Sequence, residues 1–501
     1  MGLDQYQRRT GIRGAPAGVD ARSESIPGTG VDAGPASPRT AMRHGAFMSL
    51  LATALIAGDP SENSPASGYR GIWYSIGQGN GQFGPKYSGG LGTYPANILP
   101  MACYAKEVET TFFVYGGTTE QSQTDLQIMI GRFDHRSGTV SRPTTIRNGR
   151  GFSDAHANPA LAIGPGGHLF VFSSTRHNFD GRIYRSVRPY DIGEFAQVHT
   201  QYMAYAQPWY DARLGFTFLH TQYSGQQRFL FTTTSADGLT WTPSVGYAQF
   251  KGHYQTSCRF PDGTIGTAFN YHPGGVDTRT NLYYMQTADG GRTWTTIDGA
   301  KLAIPLKAPA NPALAWEAEK DRDLVYIQEL TADAKGRPVI VLLTSKDEKS
   351  GPASGVRQWS TVRWTGSAWE RRPITTSDHN YDCGALFIEA DGTWRLIGPT
   401  DPGPQPHGTG GEMVMWLSKD QGATWTRARQ LTANSPRNHT YLRRSFAPDG
   451  LPHPQFYGLW ADGDPMKESP SDLYFCNQAG DVFRLPRQMS GASATPERLG
   501  R

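Results

Sequence analysis

The sequence predicts an all-β fold, a seven-bladed β-propeller with four-stranded antiparallel blades, and three observations lead there. The composition suits many short strands joined by tight turns, with 59 Gly, 35 Pro, 11% aromatic and only 18% charged residues in 501. A specific turn motif recurs, and a looser hairpin repeat can be counted seven times.

The turn motif has the form Ser/Thr-x-Asp-x-Gly-x-Thr-Trp. It occurs as Thr287-Ala-Asp289-Gly-Gly291-Arg-Thr293-Trp294 and as Ser418-Lys-Asp420-Gln-Gly422-Ala-Thr424-Trp425, with a shorter version at Ser235-Ala-Asp237-Gly-Leu-Thr240-Trp241. In such an Asp box the carboxylate accepts backbone N–H bonds inside the turn, the glycine supplies a positive φ, and the Trp covers the turn. This is a structural device on the outer rim, and no catalytic role is assigned to it.

Each looser repeat is a polar, aromatic or histidine-bearing tip, an apolar strand, a glycine turn, a second apolar strand and a second polar tip. The units are expected to begin near Tyr87, Asp154, Gln207, Gly252, Asn311, His379 and Asn438. The two strands of a hairpin are antiparallel, so both tips lie on the same face, and seven pairs of tips ring one mouth. Propellers bind ligands at that mouth.

The propeller is expected over residues 68–486. Residues 1–41 read as a disordered or mis-assigned extension, 42–60 as a secretory signal peptide with a basic start and a short apolar run, and 487–501 as a disordered tail. These imply a secreted or periplasmic protein without membrane insertion. The net charge of +4 and the absence of a Lys/Arg run disfavour a nucleic-acid partner. Cys103, Cys258, Cys383 and Cys476 are far apart, form no CxxC pair and read as buried thiols; a structural metal would use Cys258 or Cys383 with a nearby His. The chemistry below requires no cofactor.

Of 13 histidines, six fall on predicted tips of one mouth: His156, His177, His253, His272, His379 and His439. His156 and His177 stand at opposite ends of one hairpin. Tyr223, Tyr254, Asn158, Asn270, Trp209, Tyr210 and Tyr381 join them, with Arg228 and Arg259 as nearby cations. Carboxylates are scarce there, mainly Asp154, Asp382 and Asp462, whereas a glycosidase needs two flanking the scissile bond. A set of His, Tyr, Asn and Arg fits β-elimination on a uronate-containing polysaccharide: a cation or amide neutralises the carboxylate, a His takes the α-proton, and a Tyr protonates the leaving oxygen. His156, His177, Tyr223 and Tyr254 are the candidates for this chemistry, and the other residues are candidates for binding.

The segments Gly68-Tyr-Arg70-Gly-Ile-Trp73, Lys86-Tyr-Ser-Gly-Gly90-Leu-Gly-Thr93-Tyr94, Phe112-Phe-Val-Tyr115-Gly-Gly117 and Asp154-Ala-His156-Ala-Asn-Pro159 resemble the BNR-repeat, sialidase-like family, and through it the seven-bladed lyases of ulvan and related rhamnose–glucuronate glycans. The resemblance implies two histidines across one hairpin, matched by His156 and His177, and a tyrosine farther on, matched by Tyr223 with Tyr254 as alternative. The family's neutralising arginine has no counterpart on a tip after Tyr223; Arg228 and Arg259 are the nearest substitutes. Two other readings stand beside the lyase. One is a sialidase-like or other glycoside hydrolase, because Tyr69-Arg70-Gly-Ile resembles an early arginine motif of that group. The other is a propeller that binds carbohydrate without cleaving it.

Overall fold

The computed structural model describes residues 62–79, 81–91, 98–149, 154–175, 180–225, 227–447, 450 and 452–500. The expected extension and signal peptide lie outside them. No helix among the described residues is long and apolar enough to cross a membrane.

Seven four-stranded antiparallel blades follow one another along the chain. Their first strands are Ala102–Ala105, Pro159–Ile163, Ala204–Asp211, Gln255–Arg259, Leu324–Ala332, Ala385–Ile388 and Asn438–Phe446. Each of these touches the first strand of the blade before and the blade after, and the last touches the first, so they are the inner wall of a closed ring. The blades pack through apolar side chains: Cys258, Ala268 and Tyr284 of blade four, for example, meet Ile327, Leu342 and Val362 of blade five. Strands buried on both faces read as continuous apolar runs, as in Pro338–Ser345.

Seven blades were expected, but three of the expected starts are misplaced. Tyr87 lies on an additional hairpin, Tyr74–Gly79 with Pro85–Gly89, that leans over the mouth. Gln207 lies in the middle of a first strand that begins at Ala204, and Asn311 precedes the outer strand Leu314–Trp316 of blade four. Short apolar runs broken by bulges blurred these boundaries.

The ring closes through backbone. Ser445 and Phe446 of blade seven pair in parallel with Ala102 and Cys103 of blade one. Gly71 bridges Gly117 of blade one and Ser471 of blade seven. Gly71 and Ile72 therefore join the two blades, Ile72 N donating to the Gly116 carbonyl. Arg70 belongs to this seam, paired with Glu120 at 2.9 Å. The tail after Pro486, expected to be disordered, is ordered by the same seam. Ser493–Ala494 pairs with Thr139–Ser141 of blade one, and Glu497–Arg498 pairs with Val482–Arg484. Arg142 donates to the carbonyls of Met489 and Gly491.

All three Asp boxes link the third and fourth strands of a blade, at the face opposite the mouth. Asp289 accepts from Thr293 N and Oγ1 at 2.9 and 2.6 Å and from Thr287 Oγ1 at 2.9 Å. The following Gly291 has φ 84°, and Trp294 is fully buried. Burial raises the carboxyl's affinity for its proton, but the hydrogen bonds from Thr293 and Thr287 outweigh it and hold Asp289 below its ordinary pKa. Asp289→Ala is expected to cost about 1–2 kcal/mol in urea unfolding.

Acid should weaken the whole fold. Burial pushes His220 and His253 down to about 3 and His439 to about 4. Each histidine is neutral in the fold yet takes a proton on unfolding below about pH 6.5. The unfolded chain thus binds more protons, and each group removes up to about 1.4 kcal/mol of stability per pH unit between there and its folded value. Melting temperatures measured from pH 7 to pH 5 should fall steadily.

Candidate functional site

The starts of the first strands, the ends of the second and the starts of the third all meet at one mouth. Its floor is a tier of tyrosines: Tyr205, Tyr254, Tyr326, Tyr381 and Tyr441, each 1% exposed or less. Backbone irregularity aims two of them. Tyr205 and Tyr441 have φ of 53° and 59°, a left-handed conformation unusual for an aromatic residue, and each sits where the pairing of its strand slips. A bulge turns the side chain out of the strand's alternation, and at these two strands it delivers a phenol to the mouth.

His156 stands on a single turn, Ala155–Ala157, that Asp154 caps by accepting His156 N at 2.9 Å. The same carboxylate oxygen accepts from His156 Nδ1. A carboxylate on Nδ1 fixes the proton there, so the basic lone pair of the neutral imidazole is on Nε2. The ring lies 5.1 Å from that of Tyr205, whose hydroxyl is 3.3 Å from that of Tyr223. Asn158, fully buried, accepts from Tyr74 and donates to the carbonyls of Ala155 and Gly90.

Two guanidiniums complete the floor. Arg228 lies 4.5 Å over the ring of Tyr254 and 5.7 Å over that of Tyr223. Arg279 lies 5.0, 4.7 and 5.6 Å over the rings of Tyr254, Tyr326 and Tyr381. Tyr254 is thus held between two cations, a stable arrangement for an electron-rich ring face. Arg228 is fixed from behind: its Nη2 donates to His272 Nδ1 at 2.8 Å, and His272 Nε2 donates to Asn270 Oδ1 at 2.9 Å. Asn270 in turn donates to the Val325 carbonyl of blade five and accepts from Tyr254 N. Burial, and then the charges of Arg228 and Arg279, hold His272 neutral, well below its ordinary pKa. His272 is therefore a spacer for Arg228, since both its nitrogens are committed.

The expected site residues divide accordingly. His156, Asn158, Tyr223, Tyr254, Arg228, Asn270, His272 and Tyr381 come together at the mouth. His177 lies outside the described residues. His253 is packed between Phe250 and Phe269 with Nδ1 on the Asn270 carbonyl, and His379 lies beside Tyr381 and accepts its backbone N–H. His439 is turned into blade seven against Trp460 and Tyr474. Trp209, Tyr210 and Arg259 are at the wrong end. They fall at the finish of first strands and line a cavity of about 380 Å³ on the opposite face, where Arg259 pairs with Asp211. Sequence reasoning missed Tyr205, Tyr326 and Arg279, and gave no site role to Tyr441 or to Tyr87, whose hydroxyl donates to Asp277 and whose ring meets Tyr381 at 5.4 Å. The only signal for the tyrosines was their recurrence at the starts of inner strands.

The carboxylates at the tips are engaged. Asp154 holds His156; Asp462 is bound by Arg437 and Tyr474. Asp382 accepts from Ser377 Oγ at 2.6 Å and Gly410 N at 3.1 Å, and burial with repulsion from Asp378 raises its pKa well above the usual range. Among the described residues no cluster of three or more His, Cys, Asp or Glu side chains is placed to hold a metal. All four cysteines are buried, as expected, and Cys258 contacts Arg444 at 3.4 Å.

The fold and site define a seven-bladed propeller with a cationic, tyrosine-floored funnel. Residues 114–377, just over half of the chain, match the BNR repeat-containing family, and the chain belongs to that family. The sequence finds no match among curated proteins. Among solved structures the fold is similar to a PL25 ulvan lyase, at TM-score 0.64 and 17% identity over 78% of this chain and 94% of that one. It is also similar to a PL25 ulvan lyase bound to -[GlcA(1-4)Rha3S]-, at TM-score 0.63 and 16% identity over 82% and 96%. The polysaccharide lyase Uly1 follows at 0.55 and 12%, over 82% and 97%. At such identities the likeness is one of fold.

Removing the spacer tests its role. His272→Leu leaves a buried guanidinium without its acceptor and should cost about 1–3 kcal/mol in urea unfolding. His272→Asn, whose Oδ1 takes the place of Nδ1, should recover most of that loss.

Proposed function

We propose that the funnel binds a uronate-containing polysaccharide, of the rhamnose–glucuronate class, and cleaves it by β-elimination. The observation that carries this reading is the combination in one floor of an Asp-oriented histidine, paired tyrosine hydroxyls and two buried arginines. Arg228 and Arg279 would neutralise the uronate carboxylate and so acidify the α-proton. His156 Nε2 takes that proton. The C–H electron pair becomes the new C=C bond, the bond to the glycosidic oxygen one carbon away breaks, and the oxygen takes a proton from Tyr223, with Tyr205 beside it. Water then returns the histidine and the phenol to their starting states. The engagement of Asp154, Asp382 and Asp462 in internal bonds supports this chemistry over a paired-carboxylate hydrolysis. A polymeric substrate of this kind is met outside the cytoplasm, which agrees with the leader-like segment at 42–60.

The test is ultraviolet absorbance from the unsaturated uronate formed when the protein meets ulvan and other uronate polymers. His156→Ala should lower the rate by about 100-fold or more, as should Tyr223→Phe. Arg228→Gln should lower kcat for the native polymer as well as raise KM, and carboxyl-reduced polymer should not react at all. New reducing ends without absorbance would make the protein a hydrolase, and binding without cleavage would make it a lectin; either result sinks the elimination.

A further inference from the structure

Below the tyrosine floor, the axial channel carries a charge that the chemistry above does not use. The innermost strand of blade seven places Arg443 two residues beyond Tyr441, with its guanidinium 5.6 Å from that ring. Gln207 and Gln328 occupy the corresponding positions two residues beyond Tyr205 and Tyr326, and all three side chains are buried. This is a second, polar tier beneath the phenols.

Arg443 and its neighbour Arg444 are treated very differently. Arg444 donates to Thr331 Oγ1 at 2.8 Å and to Cys258 Sγ and the Leu330 carbonyl at 3.4 Å, and its charge is met by Glu329 at 3.5 Å. Arg443 is only 4% exposed, and its Nε and Nη2 have no hydrogen-bond acceptor. Among the described residues no carboxylate lies within 4 Å of it. Glu329, the carboxylate whose field it feels, lies 3.5 Å from Arg444, and burial raises that group's hold on its proton. The tier therefore contains an excess buried positive charge, which costs several kcal/mol unless a counter-charge joins it.

We infer that Arg443 holds a small monovalent inorganic anion, of the halide class, in the axial channel beneath the funnel floor. The Nε–H and one Nη2–H of a guanidinium point the same way and form a fork that grips a single anion. This tier lies beneath five tyrosines, each 1% exposed or less, so the sugar at the mouth does not supply the counter-charge. The site is independent of the reaction proposed for the funnel.

Thermal melting in sodium chloride or bromide, compared with sodium gluconate at equal ionic strength, tests the assignment. The parent protein should gain at least about 2 °C in the halides, saturating with concentration, and Arg443→Met should gain nothing. Crystals soaked in bromide should show an anomalous peak within hydrogen-bond reach of Arg443 Nε and Nη2. Equal melting in halide and gluconate, or a parent crystal with no bromide at that position, overturns the proposal. The parent crystal decides the matter even if the variant does not fold.

Discussion

A ring of blades is only as secure as the joint between its last blade and its first, because every other junction is a repeat of the one beside it. Here the joint is made of backbone. A parallel pairing of Ser445 and Phe446 with Ala102 and Cys103 joins the inner wall, Gly71 stitches blade one to blade seven, and the tail pairs with both blades farther out. The close approach explains the glycine: a Cβ on Gly71 would stand 2.9 Å from Ser471 Oγ. Once the ring is closed, seven inner strands run in one direction, and their starts have no choice but to converge.

That convergence brings residues from five blades into one floor, and the floor solves its own electrostatic problem. Arg228 and Arg279 are buried cations, and each faces tyrosine rings whose π faces offset part of the lost hydration. His272 stays neutral because it is dry and sits among positive charges, and neutrality is what allows it to accept from Arg228. Charge, tautomer and position are therefore one arrangement, shared by blades three, four and five.

The sequence made the architecture legible because the Asp box and the hairpin repeat are local patterns. Asp289 and its turn can be recognised within eight residues, and seven apolar hairpins can be counted without knowing how they meet. The site was legible where a side chain sits at a tip just outside a strand, as at His156, Tyr254 and His272. It was not where a bulge shifts the alternation: Tyr205 reads as an ordinary strand residue, and the slip there moved the expected tip to Trp209 and Tyr210, at the far end of the same strand. The excess of histidines misled in another way. His253 and His439 bond within the core, where imidazole serves as a compact donor and acceptor. Arg279, in an unremarkable loop, gave no local sign that three tyrosines from different blades surround it.

The seam also sets the order of events during biosynthesis. Arg142 is bound by the carbonyls of Met489 and Gly491, and Tyr69 N by that of Pro486, so blade one depends on residues that are made after blade seven. Blades two to six can pair their own strands as they appear, since each is built from consecutive segments. The first blade has an unfinished edge until blade seven has been made. Ring closure is thus a late event, and it waits for the seam segment that follows blade seven.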